Sequence, residues 1–249
     1  MKEYLKTKRG KLYIGNCIDI LETFEDNSID CCITDPPYNI SGIGNETRGD
    51  GKQSNKEMFG HFEPTDNKEW EKLIVKLVDL LYRKVRGSVI IFYDKYEISW
   101  LKNIFKERGY YPANILGIIK NNPLPHLRKT NFRSDIELAL FFQKEKNKDT
   151  FNFLTQQEMV CTDFYNIGQK ESKHPTEKPL KIFEKYVRII SNENDVVLDP
   201  FSGSGTTVVA AQKMNRKWVG IDINEEYLKM AKDRILDKTI DNSYLEEMF

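Results

Sequence analysis

A doubly wound, mostly parallel α/β sheet with a small inserted recognition region is the fold this sequence predicts, and three observations carry that expectation. Short apolar runs rich in β-branched residues, at positions 29–34, 88–93, 195–199 and 217–222, read as buried strands. Segments with helical apolar spacing alternate with them, the βαβ rhythm that builds a parallel sheet through right-handed crossovers. Two of the runs end in an acid that leads straight into turn chemistry, Asp35-Pro36-Pro37 and Asp199-Pro200-Phe201-Ser202-Gly203-Ser204-Gly205. The carboxyl ends of such strands are where open α/β sheets bind ligands.

Taken in order, residues 11–14 alternate like an edge strand and stop at Gly15-Asn16, and 17–24 carry a short helical pattern through Ile18, Ile20, Leu21 and Phe24. The first buried strand then runs into Asp35-Pro36-Pro37-Tyr38. Residues 39–62 hold five glycines and no apolar period, which predicts a mobile loop near the active corner. Thr65 or Asp66 can cap a helix through Trp70, Leu73, Ile74, Leu77, Leu80 and Leu81, ended by Gly87. Strand 88–93, a helix over 96–108 closed by Gly109, and strand 113–120 follow, and Asn121-Asn122-Pro123-Leu124-Pro125 cannot prolong the last of these. A strand resumes over 135–143. Polar, lysine-tipped residues 144–173 form the candidate target-recognition insertion. His174-Pro175-Thr176-Glu177-Lys178-Pro179 introduces a helix through Leu180, Phe183, Val187 and Ile190. The glycine turn after Asp199 opens a helix over 208–214, and a last helix spans 225–236.

The chain has 249 residues, enough for one core in a single domain over 1–249. With 39% hydrophobic, 12% aromatic and 31% charged residues it reads as globular, not disordered. No apolar run approaches the roughly 20 residues that span a bilayer, and Met1-Lys2-Glu3-Tyr4 does not begin a signal peptide, so a cytoplasmic protein without membrane contact is expected. Four cysteines without C-x-x-C spacing and three histidines give a metal-centred mechanism little to build on, and no metal is expected. Net charge is zero, yet Lys120, Arg128, Lys129, Arg133 and further lysines concentrate mid-chain among Asn, Pro and Phe. Two readings stand there, a solvated face and a phosphate-contacting surface.

Two prolines in succession fix φ near −65° and donate no hydrogen bond, so the corner at 35–38 gathers a carboxylate, free carbonyls and an aromatic ring. Such a corner suits a planar amine, although a turn that merely ends the strand has the same residues. In the second site the glycine turn offers N–H groups at a helix start, and Asp222 stands at the end of the next strand where a ribose diol is held. Pyrophosphate fits poorly, because the third glycine of G-x-G-x-x-G and a P-loop lysine are both missing and Asp199 would repel it. Asp199 suits an ammonium. A nucleoside at one end and an α-amino group at the other describe S-adenosylmethionine, while an ordinary strand-to-helix turn or another nucleotide site remains open.

Together these motifs resemble the β-class amino-methylating DNA methyltransferases, in which the catalytic tetrapeptide precedes the cofactor motif. Asp35-Pro36-Pro37-Tyr38 is similar to the catalytic motif, residues 174–179 to the segment completing the cofactor pocket, 199–207 to the glycine loop, and Gly220-Ile221-Asp222 to the ribose-binding strand end. Residues 12–19 resemble the family's adenine-capping segment, with Asn16 where an acid is usual. The segments 120–123 and 132–137 also resemble family stretches. The resemblance implies catalytic Asp35, Pro36 and Tyr38. It implies cofactor contacts from Asn16, Cys17, Asp35, His174, Thr176, Lys178, Asp199, Phe201, Ser202, Gly203, Gly205, Thr206 and Asp222. It implies DNA contacts from Asn39, Lys120, Asn121, Arg128, Lys129 and Arg133. An acid at the first motif position leans toward the N6 amine of a flipped adenine in double-stranded DNA, with N4 of cytosine the alternative and a non-catalytic DNA-binding relative the third reading. A prokaryotic or phage source, a cognate restriction endonuclease and a monomer or homodimer belong to the same implication.

Overall fold

A computed structural model describes residues 2–37, 67–123, 132–166 and 178–237. Nine strands form one sheet among them: β1 (Lys2–Lys6), β2 (Gly10–Ile14), β3 (Cys31–Thr34), β4 (Val89–Tyr93), β5 (Tyr111–Lys120), β6 (Ile136–Gln143), β7 (Thr162–Tyr165), β8 (Val196–Asp199) and β9 (Lys217–Asp222). Their spatial order is β1-β2-β9-β8-β3-β4-β6-β5-β7. The pairs β2–β9, β9–β8, β8–β3, β3–β4 and β5–β7 are parallel, and β1–β2, β4–β6 and β6–β5 antiparallel. The sheet is therefore mostly parallel, as the apolar strands predict.

Side chains on a strand alternate between faces, and here both faces are covered. Cys32, Val89, Ile91, Leu140 and Phe142 pack under α1 (Cys17–Glu22), α2 (Asn67–Lys84) and α3 (Ile98–Glu107), where Phe105 stacks on Phe142 with ring centres 4.1 Å apart. Cys31, Ile33, Ile90, Phe92, Ala139 and Val197 pack against α4 (Leu180–Ile190), α5 (Thr206–Lys213) and α6 (Glu225–Ile235), where Phe92 stacks on Phe183 at 5.4 Å. Burial on both faces explains why β3, β4 and β8 read as continuous apolar runs rather than alternating ones.

The structure departs from the sequence reading at both margins of the sheet. Residues 11–14 are not an edge strand, because β1 pairs antiparallel outside β2, with Lys2 opposite Ile14 and Lys6 opposite Lys11. β1 is half polar and owes its place to that pairing, which no local pattern announces. Within the polar stretch 144–173, where the sequence marks no strand, Thr162–Tyr165 adds to β5 in parallel. Its described part is tied to α4: Asp163 accepts from Lys185 Nζ at 2.8 Å, and Asn152 Nδ2 donates to the carbonyls of Arg188 and Ser191 at 3.0 and 2.9 Å. The loop 39–62, the caps at Thr65 and Asp66, and residues 167–173 lie outside the described residues.

Candidate active site

Two chain paths part company at the middle of the sheet. β4, which follows β3 in the chain, lies on one side of it and β9, which follows β8, on the other, so the strand order reverses between β3 and β8, the place where an open α/β sheet offers a crevice at its carboxyl edge. Asp35, Asp199 and Asp222 stand at the carboxyl ends of the adjacent strands β3, β8 and β9. All three line one cleft of about 470 Å³, together with Asn16, Cys17, Pro36, Lys120, Lys178, Phe201, Ser202, Gly203 and Thr206. The two corners read from the sequence thus open into a single space. Among the described candidates, Gly205, Asn121 and Arg133 are not part of its wall; Tyr38, Asn39, Arg128, Lys129, His174 and Thr176 lie outside the described residues.

On one side of the cleft the backbone is folded around Asp222. Its Oδ2 accepts from Gly203 N and its Oδ1 from Asn224 N, both at 2.8 Å, so one carboxylate joins the glycine turn to the start of α6. Burial raises the Asp222 pKa, although these N–H groups work the other way. Gly205 serves the turn from behind. Its φ is +86°, and a Cβ there would lie 2.7 Å from the Ala231 Cβ of α6. Arg234, one turn further along α6, donates from Nη1 to Ser204 O at 3.0 Å and to Thr206 Oγ1 at 3.2 Å. Asp199 lies deeper, accepting from Thr34 Oγ1 at 2.8 Å and Phe201 N at 3.1 Å. Burial pushes its pKa up to about 7 despite those bonds, so a cation beside it would relieve a costly carboxylate. At the rim, Asn16 Oδ1 caps α1 by accepting from Ile18 N at 2.9 Å, and burial pushes the Cys17 thiol up to about 12.

Opposite charges alternate across the other side. Lys178 Nζ lies 2.7 Å from Asp35 Oδ2 and 2.8 Å from Glu137 Oε2, and Lys120 Nζ lies 2.6 Å from Glu137 Oε1. Burial opposes the Lys178 charge, but the two carboxylates outweigh it and raise its pKa. Glu137 is likewise penalised by burial and brought below its ordinary value by the two ammonium groups. Tyr93, which ends β4, and Asp94 and Lys95 just beyond it also line the cleft, and Trp70 Nε1 donates to Tyr93 Oη at 3.0 Å.

Comparison with known proteins meets this geometry. The sequence model of the family described as DNA methylase matches residues 29–233. The chain belongs to the DNA methylase family. It is 30% identical to the type II methyltransferase M2.MboI of Moraxella bovis over 94% of this chain and 91% of that protein. It is 32% identical to the type II methyltransferase M.HpaI of Haemophilus parainfluenzae over 90% of this chain and 74% of the other. A crystal structure of an M1.HpyAVI–SAM complex superposes with a TM-score of 0.67 at 26% identity, covering 91% of this chain and 99% of that one. The PvuII DNA methyltransferase described as cytosine-N4-specific shares the fold, with a TM-score of 0.72 at 21% identity over 98% and 94% of the two chains.

Within this methylase the order of motifs, Asp-Pro-Pro-Tyr before glycine loop, is that of the β-class amino-methyltransferases. Several cleft residues were given no role by the sequence: Tyr93, Asp94, Lys95, Ser134, Glu137, Asn224 and Tyr227. A polar residue following an apolar strand was the available clue for Asp94 and Asn224. Glu137 lies in the 132–137 stretch that resembles a family segment, but its place near the beginning of a strand gave it no role, and it is β6 running opposite to its neighbour β4 that brings it to the cleft. Lys120, which the resemblance gives to DNA, and Lys178, which it gives to the cofactor, both engage Glu137 with their ammonium groups inside the cleft.

Proposed function

We propose that this DNA methylase transfers a methyl group to the N6 amine of an adenine in double-stranded DNA, and that Asp35, Pro36 and Tyr38 hold that amine. The cofactor is S-adenosylmethionine, and the residues present fit it. Asp222 stands at the end of β9 with its carboxylate at the cleft wall, where a diol can reach it, and the buried Asp199 gains from an ammonium. Phe201 and Ile223 supply apolar wall in the same cleft. When bound, the cofactor supplies a methyl carbon made electrophilic by its sulfonium.

The chain's own residues do the rest. An exocyclic amine is a poor nucleophile because its lone pair is delocalised into the ring. The Asp35 carboxylate and the Pro36 carbonyl accept its two N–H groups, favour a pyramidal nitrogen and so localise the pair, and a carboxylate oxygen of Asp35 receives the proton that the amine gives up. Tyr38 is assigned the stacking role on the extruded base from its place after the turn. No covalent enzyme intermediate is needed. The lean toward adenine comes from the acid at Asp35, since the family's cytosine members tend to carry serine there.

The observation that carries the reading is the shared cleft, in which Asp35 and the glycine turn face one space. The test is incubation with labelled S-adenosylmethionine and unmethylated genomic DNA, followed by nucleoside analysis. Label in N6-methyladenine is expected, and label in N4-methylcytosine would overturn the choice of base. Asp35→Ala should lower kcat by at least about 10³-fold while cofactor affinity stays within about threefold; undiminished turnover would remove the mechanism. The reading extends to a cognate endonuclease in a prokaryotic or phage-encoded system and to a cytoplasmic protein acting as monomer or homodimer. Sedimentation with and without DNA tests the last point.

A further inference from the structure

Asp35 directly follows β3 and Glu137 belongs to β6, and β4 lies between those strands. Neighbouring strands are about 4.8 Å apart, so two carboxylates rooted on β3 and β6 stand roughly two strand spacings from each other and do not meet unaided. Lys178 closes that gap. Its ammonium passes over the Phe92 ring of the intervening β4, 5.3 Å from the ring centre, and reaches 2.7 Å to Asp35 and 2.8 Å to Glu137. Only 11% of the Lys178 side chain is exposed, which sets this bridge apart from surface ion pairs that contribute little. Lys120 holds the outer oxygen of Glu137 at 2.6 Å, and all four side chains line the cleft.

We propose that Lys178 is the positioning residue for the Asp35 carboxylate, anchored by Glu137, and is not primarily a cofactor ligand. The inference rests on the assignment of Asp35 to the target amine. One oxygen of Asp35 is held by the ammonium, which fixes the plane of the carboxylate and the direction in which it accepts from the amine. Glu137 acts through Lys178, and Lys120 restrains Glu137 from the far side. A lysine that served only to fasten α4 to the sheet would have no reason to lie in the cleft wall with its charge on the catalytic acid.

Single-turnover methylation and calorimetric cofactor binding on the full chain test this. Lys178→Met should lower the methyl-transfer rate by about 10²-fold, the scale of a misplaced catalytic group, with the cofactor Kd within about threefold of wild type. Glu137→Gln should lower it by roughly tenfold, and the double variant should be no slower than Lys178→Met alone, because the two act as one unit. Methylamine should restore part of the rate in Lys178→Ala. A Lys178→Met rate within about threefold of wild type, a loss confined to cofactor affinity, or multiplicative losses in the double variant would each overturn the proposal. Should Lys178→Met fail to fold, Glu137→Gln and Lys178→Arg decide: a wild-type rate in the former with a large loss of cofactor affinity in the latter refutes it. A wild-type enzyme that methylates no DNA would instead refute the function on which the proposal stands.

Discussion

Replacing Gly205 by alanine tests the physical basis of the cofactor turn more sharply than removing any charged group. The residue has φ +86°, and a left-handed conformation costs an L-residue roughly 1–2 kcal/mol. The added Cβ would also lie 2.7 Å from the Ala231 Cβ, 3.1 Å from the Ala231 Cα and 3.3 Å from Val208 Cγ2. A methyl group and a backbone carbon have no rotamer into which they can retreat, so the contact is relieved only by moving α6 away from the turn, an overpacking cost of about 1–3 kcal/mol. The sum is a loss of about 2–5 kcal/mol, read in urea as a lower midpoint at unchanged slope. Cofactor affinity should fall with it, since α6 carries the Arg234 contacts to Ser204 and Thr206 that hold the turn. Ala231→Gly removes the shortest of these contacts, the one to the Ala231 Cβ, and leaves those to the Ala231 Cα and Val208 Cγ2. In a double-mutant cycle the pair should therefore show a favourable coupling of about 1–3 kcal/mol, while the left-handed cost persists. A Gly205→Ala variant that loses less than about 1 kcal/mol, or a cycle with no coupling, would refute this account of the turn.

Two other perturbations probe the acids at the strand ends. Asp222→Ala removes the acceptor of both Gly203 N and Asn224 N and should weaken cofactor binding by at least about tenfold in calorimetry without changing DNA affinity in the cofactor's absence; unchanged cofactor affinity would count against its ribose assignment. Asp199, with its pKa moved from 3.8 to about 7, keeps a proton in the folded state that the unfolded chain has released. Its contribution to the empty protein is therefore favourable below about pH 4, lost progressively as pH rises toward 7, and flat above. Asp199→Asn should flatten stability across that window. A cationic group at this site should also expel the proton, so that cofactor binding near pH 6.5 releases protons and its measured heat depends on the buffer's ionisation enthalpy; no proton release would place the ammonium elsewhere.

Much of the molecule was legible along the chain because its decisive signals are local. The apolar runs of β3, β4, β8 and β9 state their own burial, and the punctuation after them states where strands end, so the three acids Asp35, Asp199 and Asp222 could be put on one edge from order alone. Tertiary structure decided what depends on pairing between distant segments. β1 is a strand only because β2 offers it an edge, and β7 only because β5 does. The reversed direction of β6, which an isolated strand cannot encode, brings its amino end to the edge where the other strands finish and so delivers Glu137 to the cleft. Lys178 looked like part of a motif in front of a helix; its charge found Asp35 and Glu137 because folding brought three strands and a helix start within reach of one ammonium. Chain order is enough to put Asp35, Asp199 and Asp222 at the cleft edge, whereas the arrival of Glu137 and the partner that each charge meets there are set by strand direction and neighbour choice, which are properties of the assembled sheet.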